Sequence, residues 1–253
     1  MFIAKSPVEK VIELKNQIFV LKIFNPEIAS IINPGEFLNI KVSDSTFPLL
    51  RRPFSVCDVE GDYIFIMFNI LGEGTKLLAQ KRKGDLINLL GPLGKGFNLE
   101  GDFDTAILAT GGLGVAPFPY FIRRLGDKKE IYSFIGGKTE KDIITYGMKN
   151  ITISTDDGSV GLKGNVVELI EKHINNLSSK KIKIFGCGPN AMLRRLREFC
   201  LSNNISCEVS TECAMACGFG ICQGCPIESV DHPEQYLLVC KNGPVFNIKD
   251  VVI

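Results

Sequence analysis

The chain has 253 residues, and it lacks both a large net charge and a long apolar run. It contains only two histidines. Its 29 basic and 28 acidic residues give a formal charge of +1, which provides no electrostatic basis for binding nucleic acid or a membrane surface. No apolar stretch reaches the length that crosses a bilayer. The two histidines, His173 and His232, belong to no catalytic or metal-binding pattern, so we interpret both as surface or packing residues.

The N-terminal sequence shows no sign of export. Residues 1–19, MFIAKSPVEKVIELKNQIF, lack the apolar core and the small-residue cleavage site of a signal peptide. We therefore expect a cytoplasmic protein with reduced cysteines. A disulfide framework would need an oxidising compartment, and nothing in the sequence indicates one.

What the sequence does contain is a concentration of cysteines near its C-terminal end. Cys217, Cys222 and Cys225 read C-x4-C-x2-C, and Cys240 follows after fourteen further residues. Four thiolates with this spacing hold a plant-type [2Fe–2S] cluster. Glycines separate the first three cysteines, and they let a loop turn tightly so that backbone N–H groups approach the sulfur atoms. The spacing predicts a one-electron centre.

Two other interpretations of these cysteines remain open. Structural zinc also uses C-x2-C, although zinc sites with four cysteines usually show two short-spaced pairs. Cys213 lies four residues before Cys217 and is an alternative ligand, but we interpret it as a buried thiol. Cys207 has no assigned role, and Cys187 belongs to an earlier segment of the chain.

Residues 1–100 predict an antiparallel β-barrel, because short apolar strands alternate with turns rich in glycine and proline. One helix is expected within it, at Gly74–Gln80. The strands with the clearest pattern are Gln17–Phe24, Phe37–Val42, Tyr63–Phe68 and Leu86–Leu90.

Residues 101–204 predict a doubly wound parallel α/β domain, because strands and helices alternate. Residues 205–253 hold the clustered cysteines and form the third predicted domain. The predicted strands are Ile107–Thr110, Glu130–Ile135, Ile151–Ser154 and Lys181–Phe185, and the predicted helices end near Leu125, span Val166–His173 and run through Cys200.

Two motifs of the first segment suit a flavin nucleotide. In residues 52–55, RPFS, Arg52 would pair with a phosphate, and Ser55 with its neighbours would meet the edge of an isoalloxazine ring. Residues 72–75, GEGT, open a helix whose free N–H groups would accept a pyrophosphate. Either motif alone would be interpreted as an ordinary turn.

Two further motifs follow strands of the second segment. Residues 111–117, GGLGVAP, are a glycine-rich turn that lets a ligand approach the backbone, but they do not match G-x-G-x-x-G. Residues 187–192, CGPNAM, follow a later strand, and open α/β sheets bind ligands at that edge. The simpler interpretation of the second motif is a turn that starts a helix.

Taken together and in this order, RPFS, GEGT, GGLGVAP, CGPNAM and the cysteine tail resemble the ferredoxin–NADP reductase-like flavoproteins. Within them, the chain is similar over essentially its whole length to the electron-transfer subunits of NAD-dependent (class 1B) dihydroorotate dehydrogenases. The most discriminating stretches are 215–218 (MACG) and 240–246 (CKNGPVF), together with residues 154–164 (STDDGSVGLKG).

The resemblance implies three cofactor sites, one in each segment: FAD on the barrel, NAD on the α/β domain and the [2Fe–2S] cluster on the tail. The family often has a basic residue where Asn69 stands, so the sequence departs from the family at one expected FAD contact. The residues implied for FAD are Arg52, Pro53, Phe54, Ser55, Met67, Phe68, Asn69, Gly74 and Thr75. Those implied for the nicotinamide nucleotide are Gly111, Gly112, Gly114, Cys187, Gly188 and Pro189.

The resemblance also implies a partner and a reaction. A catalytic subunit would oxidise dihydroorotate to orotate on its own FMN, in pyrimidine biosynthesis, and electrons would pass through the cluster and FAD to NAD⁺. We expect a heterotetramer of two plus two subunits, with residues 213–226 at the interface, and no acid or base of this chain in hydride transfer. The loop at residues 136–141 has no arginine for a 2′-phosphate, which favours NAD over NADP.

Two alternative functions stay open. The first is a homologous FAD/[2Fe–2S] subunit of a sulfide dehydrogenase or of an NADH-dependent ferredoxin–NADP reductase, because those subunits share most of the motifs. The second, from another class, is a zinc-stabilised binding module without a redox role. A purified protein with flavin and charge-transfer absorption would exclude the second.

Overall fold

A computed structural model describes residues 1–174 and 181–253 of the chain. Six antiparallel strands within the first 93 residues close into a barrel, in the order β1-β2-β5-β4-β3-β6. The barrel that the turn spacing predicts is therefore confirmed. The strands are β1 (Phe2–Lys15), β2 (Ile18–Phe24), β3 (Phe37–Lys41), β4 (Arg52–Glu60), β5 (Tyr63–Asn69) and β6 (Leu86–Leu93).

Two short helices close the ends of the barrel. Helix α1 (Pro26–Ile31) begins after Asn25, whose side chain accepts a hydrogen bond from the N–H of Ile28 at 2.8 Å. Helix α2 (Glu73–Ala79) lies one residue before its predicted bounds and turns Leu78 into the barrel core. Both helices bury an apolar face because the strands alone leave the barrel ends open to water.

The second half of the chain forms one seven-stranded sheet, in the order β10-β9-β8-β7-β11-β12-β15. All neighbouring strands run parallel except β15, which is antiparallel to β12. The strands are β7 (Thr105–Gly111), β8 (Glu130–Gly137), β9 (Ile151–Thr155), β10 (Leu162–Lys163), β11 (Ile182–Cys187), β12 (Ser206–Ser210) and β15 (Val245–Asn247).

Helices cover both faces of this sheet, which confirms the doubly wound α/β fold. Helices α4 (Val166–Ile174) and α5 (Asn190–Ser202) pack with Ile107 and Ile184 on one face. Helix α3 (Phe118–Leu125) packs with Phe185 on the other. The central strands are buried on both sides, which explains their nearly continuous apolar sequences.

The sheet takes two strands, β12 and β15, from the segment that the sequence assigns to the cluster. Between them lie a two-stranded ribbon, β13 (Pro226–Glu228) with β14 (Tyr236–Leu238), and helix α6 (Val239–Asn242). The cysteine-rich segment is thus anchored to the sheet at both ends. The domain boundaries at residues 100 and 204 stay a prediction.

The barrel and the sheet are held together by polar contacts from α3. Arg123 donates two hydrogen bonds to the carboxylate of Asp58 on β4, at 2.8 and 2.7 Å. The hydroxyl of Tyr120 donates to the carbonyl oxygen of Ile32 at 2.9 Å. A bidentate arginine–carboxylate pair constrains orientation as well as distance, so these contacts set the cleft between the two units.

No helix within the described ranges is both long and apolar enough to span a membrane.

Candidate functional site

One cavity lies where the barrel, the edge of the sheet and the cysteine-rich segment meet. It is lined by seven of the nine residues implied for FAD, and by one residue implied for the nicotinamide nucleotide, Cys187. The seven come from three elements of the barrel, so the fold brings together side chains that are distant in sequence. They are Pro53, Phe54, Ser55, Met67, Phe68, Asn69 and Thr75.

The start of β4 forms the open wall of this cavity. Residues 52–55 are each half-buried, whereas Val56, Cys57 and Asp58 further along the strand are buried. Phe54 contacts Phe68 of the neighbouring strand with ring centroids 5.9 Å apart. A half-buried strand end backed by aromatic rings offers a flat apolar surface with free backbone groups, which suits one edge of a flavin ring.

Arg52 and Gly74 do not line the cavity but lie next to each other beside it. A Cβ atom on Gly74 would stand 3.4 Å from Nε of Arg52. The guanidinium donates to the carbonyl oxygen of Leu50 at 2.8 Å, and no carboxylate of the described residues lies within ion-pair distance of it. An unneutralised arginine beside the first turn of α2 is suited to a phosphate group.

Thr75 lines the cavity and also stabilises the turn before α2. Its hydroxyl oxygen accepts from the N–H of Leu71 at 2.9 Å and donates to the carbonyl oxygen of Gly72 at 3.1 Å. The side chain therefore holds the turn before α2 as well as lining the cavity. Asn69 ends β5 at the cavity, and it supplies an amide where a basic side chain was expected.

The residues implied for the nicotinamide nucleotide meet at the carboxyl edge of the sheet. Strands β7 and β11 are parallel neighbours, with Thr110 opposite Cys187. A Cβ on Gly114 would lie 2.2 Å from the carbonyl oxygen of Cys187, and one on Gly111 would lie 2.9 Å from Cδ of Pro189. Glycine is required here because the two turns touch through their backbones.

Cys187 belongs to both candidate sites. It ends β11, and it also lines the cavity that holds most of the residues implied for FAD, named here the flavin cavity. Burial raises the pKa of its thiol, and the nearby charge of Glu212 raises the pKa further. The thiol is therefore neutral, and it provides an apolar wall where the two nucleotides would meet.

Several lining residues were missed from the sequence. Most follow β12, where no motif was recognised, or belong to the turn after β7, whose GGLGVAP motif was assigned to the nicotinamide nucleotide and not to this cavity. Parallel strands end at the same edge of a sheet, where ligands bind. The residues that follow β12 could therefore have been predicted to line a site, as Cys187 at the end of β11 was. They are Leu113, Ala116, Pro117, Ser210, Thr211, Glu212, Cys213, Met215 and Pro244, together with Phe37 and Leu71 of the barrel.

The four predicted cluster cysteines lie in two neighbouring pairs. The sulfur atoms of Cys225 and Cys240 are 3.1 Å apart, and both residues are buried. The N–H of Cys222 donates to the sulfur of Cys217 at 3.5 Å. All nine cysteines are free thiols, so the structure contains no disulfide framework.

The backbone around Cys217 is arranged to stabilise a thiolate. Partial burial raises the pKa of this thiol, but N–H groups of Cys222, Phe219 and Ile221 donate to the sulfur and bring the pKa down to about 6. Gly218 and Gly220 have φ of 81° and 92°, the left-handed region in which glycine is unstrained. The turn thus aims N–H groups at sulfur, as the spacing of glycines predicts.

This arrangement suits a binuclear cluster better than a single metal ion. Across residues 1–174 and 181–253, no three His, Cys, Asp or Glu side chains converge on a point that would hold one ion. A tetrahedral zinc site needs four such ligands around one centre. Two pairs of thiols, each able to hold one iron, are what a [2Fe–2S] cluster needs.

The flavin cavity and the cysteine pairs share a wall. Cys213 and Met215 line the cavity and also pack with Cys225 and Cys240 in one apolar cluster. Burial, with Cys225 beside it, raises the pKa of Cys213 to about 11. Cys213 therefore lies between the two sites, and it is half-buried where the sequence indicates a buried thiol.

The remaining residues with chemistry-bearing side chains lie away from both sites. His173 bonds through Nδ1 to the carbonyl oxygen of Leu169 at 2.8 Å and packs on Phe134. Cys207 is buried beside Cys200 in the core under α5. Both contacts belong to packing.

The chain is similar to proteins of known family, both in its cysteine-rich segment and over most of its length. Residues 212–252 match the family model of the iron-sulfur cluster binding domain of dihydroorotate dehydrogenase B. The chain is 37% identical over 224 residues to the electron transfer subunit of dihydroorotate dehydrogenase B (NAD(+)) from Caldanaerobacter subterraneus, and the match covers 87% of each chain.

Solved structures share the fold over most of the chain. The NADH-dependent reduced ferredoxin–NADP oxidoreductase superposes with a TM-score of 0.86 at 24% identity, covering 98% of this chain and 90% of that one. A ferredoxin–NADP⁺ reductase from Neisseria gonorrhoeae with bound FAD and NADP superposes with a TM-score of 0.64 at 18% identity, covering 79% and 91%. At these identities the likeness shows the fold alone.

Proposed function

The chain belongs to the family of electron transfer subunits of dihydroorotate dehydrogenase B (NAD(+)), and we propose that it passes electrons from a catalytic dihydroorotate dehydrogenase subunit to NAD⁺ in pyrimidine biosynthesis. The resemblance indicated by the motifs is thereby confirmed. Neither the sister subunits of other flavin–iron–sulfur enzymes nor a zinc-stabilised module is favoured by the family match and the paired thiols.

The observation that supports this function best is the wall shared by the flavin cavity and the cysteine pairs. Electrons that arrive one at a time at a cluster must reach the group that forms a hydride, and tunnelling requires a short path. Cys213 lines the cavity and has Cys225 beside it, so a short path would connect the two cofactors.

The cofactors and the residues divide the work. When bound, FAD exchanges a hydride with NAD and single electrons with the cluster. Arg52 and the first turn of α2 would hold the pyrophosphate, and β4 and β5 would orient the ring. Cys217, Cys222, Cys225 and Cys240 would hold the [2Fe–2S] cluster.

The stoichiometry of the reaction balances without an acid or base from this chain. Oxidation of dihydroorotate to orotate releases two electrons and two protons, and reduction of NAD⁺ takes up two electrons and one proton. The chain's residues therefore need only bind, orient and insulate. The neutral thiol of Cys187 and the apolar lining of the cavity serve the last purpose.

NAD is the proposed nucleotide. The relative from Caldanaerobacter subterraneus carries NAD(+) in its name. The loop after β8 contains Lys138 and Lys141 but no arginine, and its Glu140 would repel a 2′-phosphate.

The proposed partner is an FMN-containing catalytic subunit in a cytoplasmic heterotetramer of two plus two subunits. Residues 213–226 would lie at the interface, because the cluster must approach the partner's flavin. Ile221 is 76% exposed and Cys222 is exposed in this segment. Phe219 is exposed as well, so the segment presents two large apolar side chains, which suits a surface that a partner covers.

Co-expression with a dihydroorotate dehydrogenase catalytic subunit tests the proposal. Orotate formation coupled to NAD⁺ reduction is expected only when both chains are present, in a yellow-brown complex. Cross-links from residues 213–226 should reach the catalytic subunit. A chain that binds FAD and oxidises NADH with artificial acceptors, yet forms no complex, would contradict the proposed partner and keep the redox role.

A further inference from the structure

One polar side chain lies where the barrel meets the cysteine-rich loop. Asn39, on β3, is fully buried, and its side-chain Nδ2 donates to the carbonyl oxygen of Cys217 at 3.1 Å. The amide oxygen, Oδ1, has no hydrogen-bond partner in the described part of the chain. A buried acceptor without a partner costs free energy, and an apolar side chain at this place would avoid the cost.

The contact between Asn39 and the loop is close on both sides. Gly218 follows Cys217 with φ of 81°, and a Cβ atom on it would lie 2.5 Å from Nδ2 of Asn39. The loop therefore rests its backbone directly on the asparagine amide. Gly218 is buried by this contact, so the position of the first cluster cysteine depends on it.

Strand β3 also borders the flavin cavity. Asn39 is paired with Pro53, which lines the cavity, and Phe37 two residues earlier lines the cavity and packs with Cys225 and Cys240. The backbone of Asn39 is held in turn by Arg51, which donates to its carbonyl oxygen at 3.2 Å. One strand thus touches both redox sites.

From this geometry we propose that Asn39 is a positioning residue, which fixes the Cys217 end of the cluster loop against the flavin barrel. It acts through the backbone of Cys217 and touches neither substrate nor sulfur. The inference rests on the proposed function, because it assigns the [2Fe–2S] cluster to the four cysteines. Loss of the amide should loosen the cluster and change its environment while leaving hydride transfer between NADH and FAD intact.

The test compares two buried barrel asparagines in the holoprotein. Asn39→Ala removes the amide that holds the loop. Asn25→Ala is the matched control, because Asn25 is also buried and donates through Nδ2 to the hydroxyl of Ser6 at 2.8 Å, a contact within the barrel and not with the cysteine-rich loop. For Asn39→Ala we expect a chelator to remove the cluster at least about tenfold faster than from the unchanged protein.

Two spectroscopic readouts separate positioning from general destabilisation. The electron paramagnetic resonance spectrum and the midpoint potential of the reduced cluster should change in Asn39→Ala and stay unchanged in Asn25→Ala. Bleaching of FAD by NADH in rapid mixing should keep its rate in both variants. Asn39→Asp is the second variant, for use if Asn39→Ala does not fold. It preserves the shape of the side chain but sets an acceptor against the carbonyl oxygen of Cys217, so it should also lose the cluster faster than the unchanged protein.

An unchanged spectrum, potential and chelation rate in both Asn39 variants would overturn the inference. Equal changes in Asn25→Ala would overturn it too, because the effect would then be one of barrel stability. A protein whose unchanged form holds no cluster would instead refute the proposed function, so the two failures are distinguishable.

Discussion

The cavity proposed for FAD and the cysteine-rich loop proposed for the cluster are made in different ways. The barrel side of the cavity is made of regular strands and a helix, and its shape is held by the barrel core and by the Arg123–Asp58 pair. The loop between β12 and β13 contains no regular element, and one of its cysteines, Cys222, is exposed.

The difference predicts which of the two regions depends on its cofactor for an ordered structure. Walls that pack on an apolar core form whether or not a nucleotide binds. A loop without regular elements gains stability from metal–thiolate bonds, so its order depends on the iron. We therefore expect FAD binding to survive loss of the cluster.

The largest effect that sharpens this contrast is expected from Cys225→Ser. Cys225 is buried against Cys240, so its loss leaves one iron with a single buried thiolate and should abolish the cluster entirely. Iron and sulfide content and visible absorption measure the loss, while FAD should stay bound. Cys213→Ser is the control: it should keep the cluster, and loss of iron from that variant would make Cys213 a ligand instead.

A smaller effect is expected at the phosphate end of the cavity. Arg52→Gln removes a cation that no carboxylate of the described residues neutralises, and a hydrogen bond to a charged group contributes about 1.5–3 kcal/mol. The Kd for FAD should therefore rise by roughly 10- to 100-fold, measured by the fluorescence of released flavin. Arg82→Gln changes an exposed arginine that does not line the cavity and should leave the Kd unchanged. Equal losses in the two variants would mean that net charge, and not the position of Arg52, governs FAD binding.

The smallest effect concerns the turn that the two nucleotide sites share. In Gly114→Ala the new Cβ would meet the carbonyl oxygen of Cys187, and overpacking of this kind costs about 2 kcal/mol. The Tm of the FAD-saturated protein should fall by roughly 4–8 °C in calorimetry. Gly72→Ala has open space and an extended backbone, so its Tm should hardly change. A Gly114→Ala protein with an unchanged Tm would show that the turns can separate without cost.

Patterns of local sequence predicted most of the elements and some of the site. The periodicity of the chain located β2, β3, β5 and the α/β alternation because burial imposes it directly. It did not reveal that β12 and β15 complete the sheet, since short strands with mixed polarity give no such signal. The RPFS motif placed three residues in the cavity, whereas Glu212 carries no motif and Met215, although part of MACG, was assigned no place in the site.

The sequence by itself determined the chemistry of this protein: four thiols at the spacing of an iron–sulfur cluster, and glycines where backbones must approach a nucleotide or each other. Chemical identity and short spacing are local properties, so they can be recognised without a fold. Only the tertiary structure decided that Asn39 reaches Cys217, and that Cys213 lines the cavity with Cys225 beside it. These contacts join residues far apart in the chain, and packing of the barrel against the sheet creates them.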